Sequence, residues 1–227
     1  MPKILIQVWF GMLLVMPFTC ILTFIVTMII CSQTPKSFQP RGHLPEISDL
    51  GTGQAHNYFM GGFIILIPQL LIMFIGRMHF LIVSQSIIRC IVILSMHFIP
   101  LISSVFILIM AIVSENDHPM LHLIGASGTF LTIALYCIFH TIIIIYLFIR
   151  RSEVPEHSNV IFLLWFLVCT IVSTISSIIL AVTITSISEY IAVGTPFLYF
   201  LGFVPSFWRK FNESKHDIDL RSINIIR

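Results

Sequence analysis

The sequence predicts an all-α membrane protein, a bundle of six transmembrane helices with both termini in the cytoplasm. Three observations predict it. The chain has 227 residues, of which 57% are hydrophobic and 10% charged, and its mean hydropathy is +1.02. A soluble domain carries about 25% charged residues, so this chain cannot build a water-facing surface. Six apolar segments are long enough to cross a bilayer, which takes roughly 20 residues at a rise of 1.5 Å each. Basic residues fall almost entirely on one side of those segments. That side holds Lys3, Arg77, Arg89, Arg150, Arg151, Arg209, Lys210, Lys215, Arg221 and Arg227, and the other only Lys36 and Arg41. The positive-inside rule places the first set in the cytoplasm.

The predicted spans are 4–30, 58–75, 87–113, 120–149, 159–183 and 189–208, followed by a cytoplasmic tail, 209–227. Backbone groups in lipid must satisfy one another, so each span is a helix. The first exceeds the ~7–15 apolar residues of a signal-peptide core and is read as an uncleaved anchor. Pro17 and Thr19 interrupt it without charge. A single long loop, about 32–57, follows on the non-cytoplasmic side. Pro35, Pro40, Pro45, Gly42, Gly51 and Gly53 make it rich in turns. The remaining connections are short and force successive helices to pack antiparallel. Pro68, Pro100 and Pro196 fall inside spans and are expected to kink them.

Enzyme chemistry finds little support. The nine histidines form no HExxH pattern, and the cysteines form no CxxC. No phosphate-binding loop, dinucleotide fingerprint or nucleophile elbow appears. A non-enzymatic protein without metal or cofactor is expected. The formal net charge of +2 gives no reason to expect nucleic-acid binding. Membrane lipids, and possible membrane-protein partners, are the expected company. His97 and His140 are predicted at similar depth, each hydrogen-bonded to a neighbouring helix. Ser173, Ser177 and Ala181, with Thr170 and Thr174, form a small-residue stripe expected to pack. Gly125, Ala126, Ser127 and Gly128 do likewise on the fourth span. Cys20, Cys31, Cys90, Cys137 and Cys169 lie in or beside apolar runs, so no essential disulfide is expected. The non-cytoplasmic rim gathers His43, Glu46, Asp49, His56, Glu115, Asp117, His118, His122 and Glu189.

The loop His43-Leu44-Pro45-Glu46-Ile47-Ser48-Asp49-Leu50-Gly51-Thr52-Gly53 resembles the "LPxISDxGT" segment of the FRAG/DRAM/SFK superfamily. Phe59 and Gly61 resemble the opening of that family's second helix, and Arg77 the basic residue after it. His122, Gly125 and Ala126 resemble "HxxGA" at the start of the fourth helix. Glu189-Tyr190 with Phe197, Tyr199, Phe200 and Leu201 resemble the last. The chain departs from the pattern at Ser186-Ile187-Ser188, where autophagy modulators have a longer loop. It departs again at Pro205-Ser206-Phe207-Trp208, which lacks an aspartate seen in relatives.

The resemblance implies six helices, no established catalytic residues and work at endomembranes. It draws attention to Pro45, Ile47, Ser48, Asp49, Gly51, Thr52, His122, Gly125 and Glu189. Ser48-Asp49 followed by Gly51-Thr52 favours the autophagy-modulator branch, which acts at lysosomes. The alternatives are a Golgi factor remodelling the lipid of GPI anchors and a plasma-membrane scaffold recruiting a phosphoinositide kinase. The expected arrangement has the long loop packed over the bundle's non-cytoplasmic end. Asp49 bonds a backbone N–H two residues on, Gly51 supplies a positive φ, and Glu189 and His122 anchor the loop.

Overall fold

The computed structural model describes residues 3–34, 45–183 and 185–226, with side chains from 5 to 215 within those ranges. Regular structure among the described residues is helical throughout. It comprises α1 (Lys3–Gln33), α2 (Ile47–Leu50), α3 (His56–Ser84), α4 (Cys90–Ile112), α5 (Pro119–Ile149), α6 (Val160–Thr183), α7 (Ser186–Leu201) and α8 (Val204–Ile226). Six spans are long and apolar enough to cross a membrane, the last formed by α7 continuing into α8. The chain is therefore an integral, multi-pass membrane protein in contact with lipid.

The spans close into a ring in chain order: α1 on α3, α3 on α4, α4 on α5, α5 on α6 and α6 on α7, with α7 and α8 returning to α1. Phe10 of α1 lies near Phe207, and Gly11 faces Phe211. The start of the chain and α8 thus share one end of the bundle, here the tail end. α2 lies at the opposite end, here the lid end.

α6 shows why the ring forms. Ile161, Leu164, Val168, Ile171, Ile175, Ile178 and Val182 recur every three or four residues, and all are exposed. The opposite face buries Phe166, Cys169, Thr170, Ser173 and Ser176. The solvent of the apolar stripe is lipid, so small and hydroxyl-bearing residues turn inward, where helices approach closely and hydroxyls find partners. The buried stripe differs from the expected one. Ser173 and Thr170 belong to it, but Ser177 is half-buried and Ala181 exposed. The helix turns about 100° per residue, so a strict four-residue spacing drifts off the contact face.

Close approach is clearest between α4 and α5. A Cβ on Gly125 would stand 2.7 Å from the Met110 backbone nitrogen and 3.1 Å from the Phe106 carbonyl oxygen. Only glycine lets the two backbones meet there.

Two spans differ from the sequence expectation. The second does not stop at residue 75 but runs to Ser84, carrying Arg77 inside the helix. The sixth breaks. Gly202 and Phe203 donate N–H bonds to Tyr199 and Phe200 carbonyls at 3.0 Å each, the tight three-residue spacing. Pro205 has no N–H to return to Leu201, so α7 cannot continue, and α8 restarts with Pro205 in its first turn. The expected tail from residue 209 is helical as far as Ile226.

Candidate functional site

Two groups of polar side chains stand out, one at each end of the bundle. At the lid end, α2 holds the Ile47-Ser48-Asp49-Leu50 motif. A four-residue helix has no internal partners for its first N–H groups. Glu189, in the first turn of α7, supplies them: its Oε2 accepts the Ile47 N–H at 2.7 Å and its Oε1 the Ser48 N–H at 3.3 Å. Asp49 Oδ2 accepts the Glu46 N–H at 3.3 Å, as part of a capping box. Ile47 and Leu50 point inward and are buried, while Pro45, which leads into α2, is half-buried. The result is a small lid clamped by a residue more than a hundred positions away.

The turn after α2 corrects two expectations. Asp49 reaches back to Glu46 rather than forward to Gly51. Gly51 has φ −86°, an ordinary value, and the positive φ, 61°, belongs to Gly53. Gly51 is required for space instead, since a Cβ there would stand 2.7 Å from the Phe59 ring. Thr52 Oγ1 donates to the Asp49 carbonyl at 2.8 Å and closes the turn. His56 ties it to α4, its ring nitrogens 3.2 Å from the Gly51 oxygen and 3.1 Å from the Ile112 oxygen. His43 and Leu44, the start of the motif, lie outside the described residues.

His122 does not grip the lid. Its Nδ1 bonds the Val113 carbonyl at 2.8 Å, holding the α4–α5 connection. It shares with Ile47, Ser48 and Glu189 the wall of a cavity of about 70 Å³ that runs beneath the lid between α3, α5 and α7. Gly125, one turn on, seats α5 against α4.

At the tail end, Arg77 is buried at 1% exposure. It sits seven residues inside the end of α3, roughly 10 Å from it. Its Nε donates to His140 Nε2 at 2.9 Å, and an η nitrogen to Ser206 Oγ at 3.2 Å. The rings of Phe203, Phe80 and Phe166 surround the guanidinium at 5.0, 5.1 and 5.8 Å. Among the described residues no carboxylate pairs with it. Because Arg77 donates to Nε2, a neutral His140 carries its proton on Nδ1 and donates it to the Tyr199 hydroxyl, 2.6 Å away. Tyr199 lies 2.9 Å from Thr141 Oγ1, which lies 2.7 Å from Thr170 Oγ1. Five helices, α3, α5, α6, α7 and α8, are thus joined by one buried chain of hydrogen bonds. His97 bonds within its own helix, to Ile93, and approaches Tyr136 of α5 at 3.5 Å.

The surface above this cluster is also tied down. Glu156 pairs with Arg209 at 2.6 Å and Lys210 at 2.9 Å, and Lys210 also meets Glu213 at 2.8 Å. His157 Nε2 lies 3.1 Å from Ser84 Oγ. Burial first, and then the charges of Arg77, Arg209 and Lys210, lower the His157 pKa from 6.5 to about 3.

Hydropathy and motif together mark the lid residues, but they read Arg77 as the end of a span. The signal that could have found it is the stretch Met78–Ser84 beyond it, apolar except for His79 and Ser84: seven more residues of membrane-compatible helix. Comparison with known proteins agrees with the fold. No curated protein and no solved structure gives a significant match. A family profile described as the Frag1/DRAM/Sfk1/Cwh43P N-terminal domain matches residues 4–210, almost the whole chain, and the protein belongs to that family.

Proposed function

We propose that the protein is a non-enzymatic, multi-pass endomembrane protein of the autophagy-modulator type, acting in lysosome- or autophagy-related membrane processes with both termini in the cytoplasm. The observation that carries this reading is the lid. Ser48, Asp49, Gly51 and Thr52 are the residues that favour the autophagy-modulator branch, and they build one compact element held by Glu189. A tagged copy at native expression, scored against lysosomal, Golgi and plasma-membrane markers, tests it. Lysosomal signal that is lost with Glu189→Ala, while the protein still folds and leaves the endoplasmic reticulum, supports the reading. Golgi residence overturns it.

A specific observation favours a second reading, a Golgi factor for lipid remodelling of GPI anchors. The cavity under the lid is lined mainly by apolar side chains, with a histidine, His122, and a carboxyl group, Glu189, among them. Normal surface GPI-anchored proteins with unaltered anchor lipids in a knockout would remove it. The third reading, a plasma-membrane scaffold for a phosphoinositide kinase, loses ground because Arg209 and Lys210 are engaged by Glu156 and Glu213. Cations already paired gain less from an anionic membrane surface.

A further inference from the structure

Near the middle of the second span, α3 carries a carboxamide that the bundle leaves half-used. Gln69 lies roughly 20 Å from either end of α3, near the centre of a hydrocarbon layer about 30 Å thick. Its Oε1 accepts the Thr23 hydroxyl of α1 at 3.2 Å, and among the described residues nothing accepts from its Nε2. That nitrogen is not enclosed within the bundle, and the side chain is half-buried. It therefore opens toward lipid at the seam between α1 and α3.

Two N–H donors at that depth find nothing in the bilayer. Water is absent, acyl chains accept no hydrogen bond, and lipid ester carbonyls lie at the interface, roughly 15 Å away. Leaving the donors unmet is costly, so an acceptor on another protein helix at the same depth is favoured.

The surface around Gln69 suits a helix. Gly61, Ile65, Pro68 and Gln69 recur at the spacing of one side of α3. Ile65 is 57% exposed, and Pro68 is exposed as well. Gly62 and Gly76 seat α1, since a Cβ on either would strike Thr27 or Leu13. A Cβ on Gly61 would meet nothing within 4 Å, so this glycine serves no packing inside the bundle. It leaves a notch on the outer surface into which a neighbouring helix can settle.

Self-complementarity selects the occupant. Copies of one chain insert in one orientation, so each carries Gln69 at the same depth. A carboxamide holds two donors and an oxygen with two lone pairs, of which Thr23 uses one. Two such groups facing each other across a two-fold axis satisfy one another, as an isologous contact requires. An unrelated membrane protein would need a polar group of its own at the matching depth.

We propose that this side of α3 is an interface between two copies of the chain, with the two Gln69 carboxamides hydrogen-bonded to each other across a two-fold axis normal to the membrane. The proposal goes beyond both readings of function above and holds under either.

The experiment uses the purified full-length chain in phosphatidylcholine liposomes, tagged with donor or acceptor fluorophores. Energy transfer is measured over a range of protein-to-lipid ratios, and photobleaching steps count the copies. The expected result is transfer that rises with protein fraction and saturates at two copies. Gln69→Leu should weaken association about tenfold, the scale of a pair of interhelical hydrogen bonds. Gly61→Leu fills the notch, keeps Gln69 and should weaken it at least as much. Gly194→Leu is the control: a Cβ on Gly194 of α7 also meets nothing within 4 Å, and association should not change. Melting temperatures like the parent's establish that the variants fold. Three outcomes overturn the proposal: single copies at every ratio, association that survives Gln69→Leu unchanged, or a loss in Gly194→Leu equal to that in Gly61→Leu.

Discussion

Removing Glu189 should free the lid and leave the bundle intact. Among the described residues, the carboxyl group is the one acceptor for the Ile47 and Ser48 N–H groups of α2. While Glu189 is ionised, each such hydrogen bond contributes about 1.5–3 kcal/mol. The Ile47 bond, at 2.7 Å, should sit near the top of that range and the Ser48 bond, at 3.3 Å, near or below its foot. Glu189→Gln keeps one carbonyl oxygen for Ile47 but turns an NH2 donor toward the Ser48 N–H. Its expected cost is about 1–2 kcal/mol, local to the lid. Glu189→Ala loses both bonds, at about 2–4 kcal/mol. Local opening free energy reads directly as hydrogen-exchange protection, at about tenfold per 1.4 kcal/mol. In nanodiscs, amides of residues 47–52 should exchange about tenfold faster in Glu189→Gln, and about thirtyfold or more in Glu189→Ala. Amides in the middle of α3 and α5 should not change, because the hydrogen bonds of Glu189 go to α2. Unchanged protection of residues 47–52 in Glu189→Ala would refute the clamp. Faster exchange throughout the bundle would refute the separation of lid from core.

The other predictions concern single contacts. Gly51→Ala should destabilise the lid by about 1–3 kcal/mol through overpacking against Phe59, and Phe59→Leu should recover part of it in a double-mutant melting experiment. His140→Leu leaves the Arg77 Nε–H buried without its partner and should cost about 1–3 kcal/mol. Arg77→Met in the same chain should restore stability, since an apolar pair of similar volume replaces a buried polar one; a double variant no more stable than His140→Leu alone would contradict this. His157 is depressed in the folded state, so between about pH 3 and 6.5 the unfolded chain binds the extra proton and folding weakens as pH falls. From pH 6.5 to 5 the loss is about 2 kcal/mol. His157→Gln, which keeps a group able to bond Ser84, should flatten the melting temperature over that range.

Some of this architecture was legible from composition alone, because lipid leaves a chain few options. Six apolar stretches must be helices, and short connections must make neighbours antiparallel. What escaped were positions where one residue overrides the average. Arg77 reads as a boundary because a cation in lipid is expensive, yet Phe80, Phe166, Phe203, His140 and Ser206 make a polar, aromatic cage that no single helix reveals. Gly51 reads as a turn glycine because turns ask for positive φ, whereas its constraint is the ring of Phe59. Glu189 was recognisable as an anchor at the right end of the bundle, but its two backbone partners depend on how α7 meets α2. Local signals specify each element, and sites assembled from distant segments need the packing.

α7 links the two ends. Glu189 lies in its first turn and Tyr199 near its last, ten residues or roughly 15 Å apart. The lid clamp and the Arg77–His140–Tyr199 chain therefore hang on one short helix, with Pro196 between them. If α7 moves as a rigid rod, displacement of the lid must shift the Tyr199 hydroxyl against His140, and the 2.6 Å contact tolerates little shift. If Pro196, which withholds one backbone hydrogen bond, lets the helix bend, the two ends are independent. Double-mutant cycles between Glu189→Ala and Tyr199→Phe separate the cases. A coupling energy beyond about 0.5 kcal/mol makes α7 a lever, and additivity makes it a hinge. The direct contacts favour additivity: Tyr199 and His140 are held by α3, α5 and α6 through bonds that the lid does not touch.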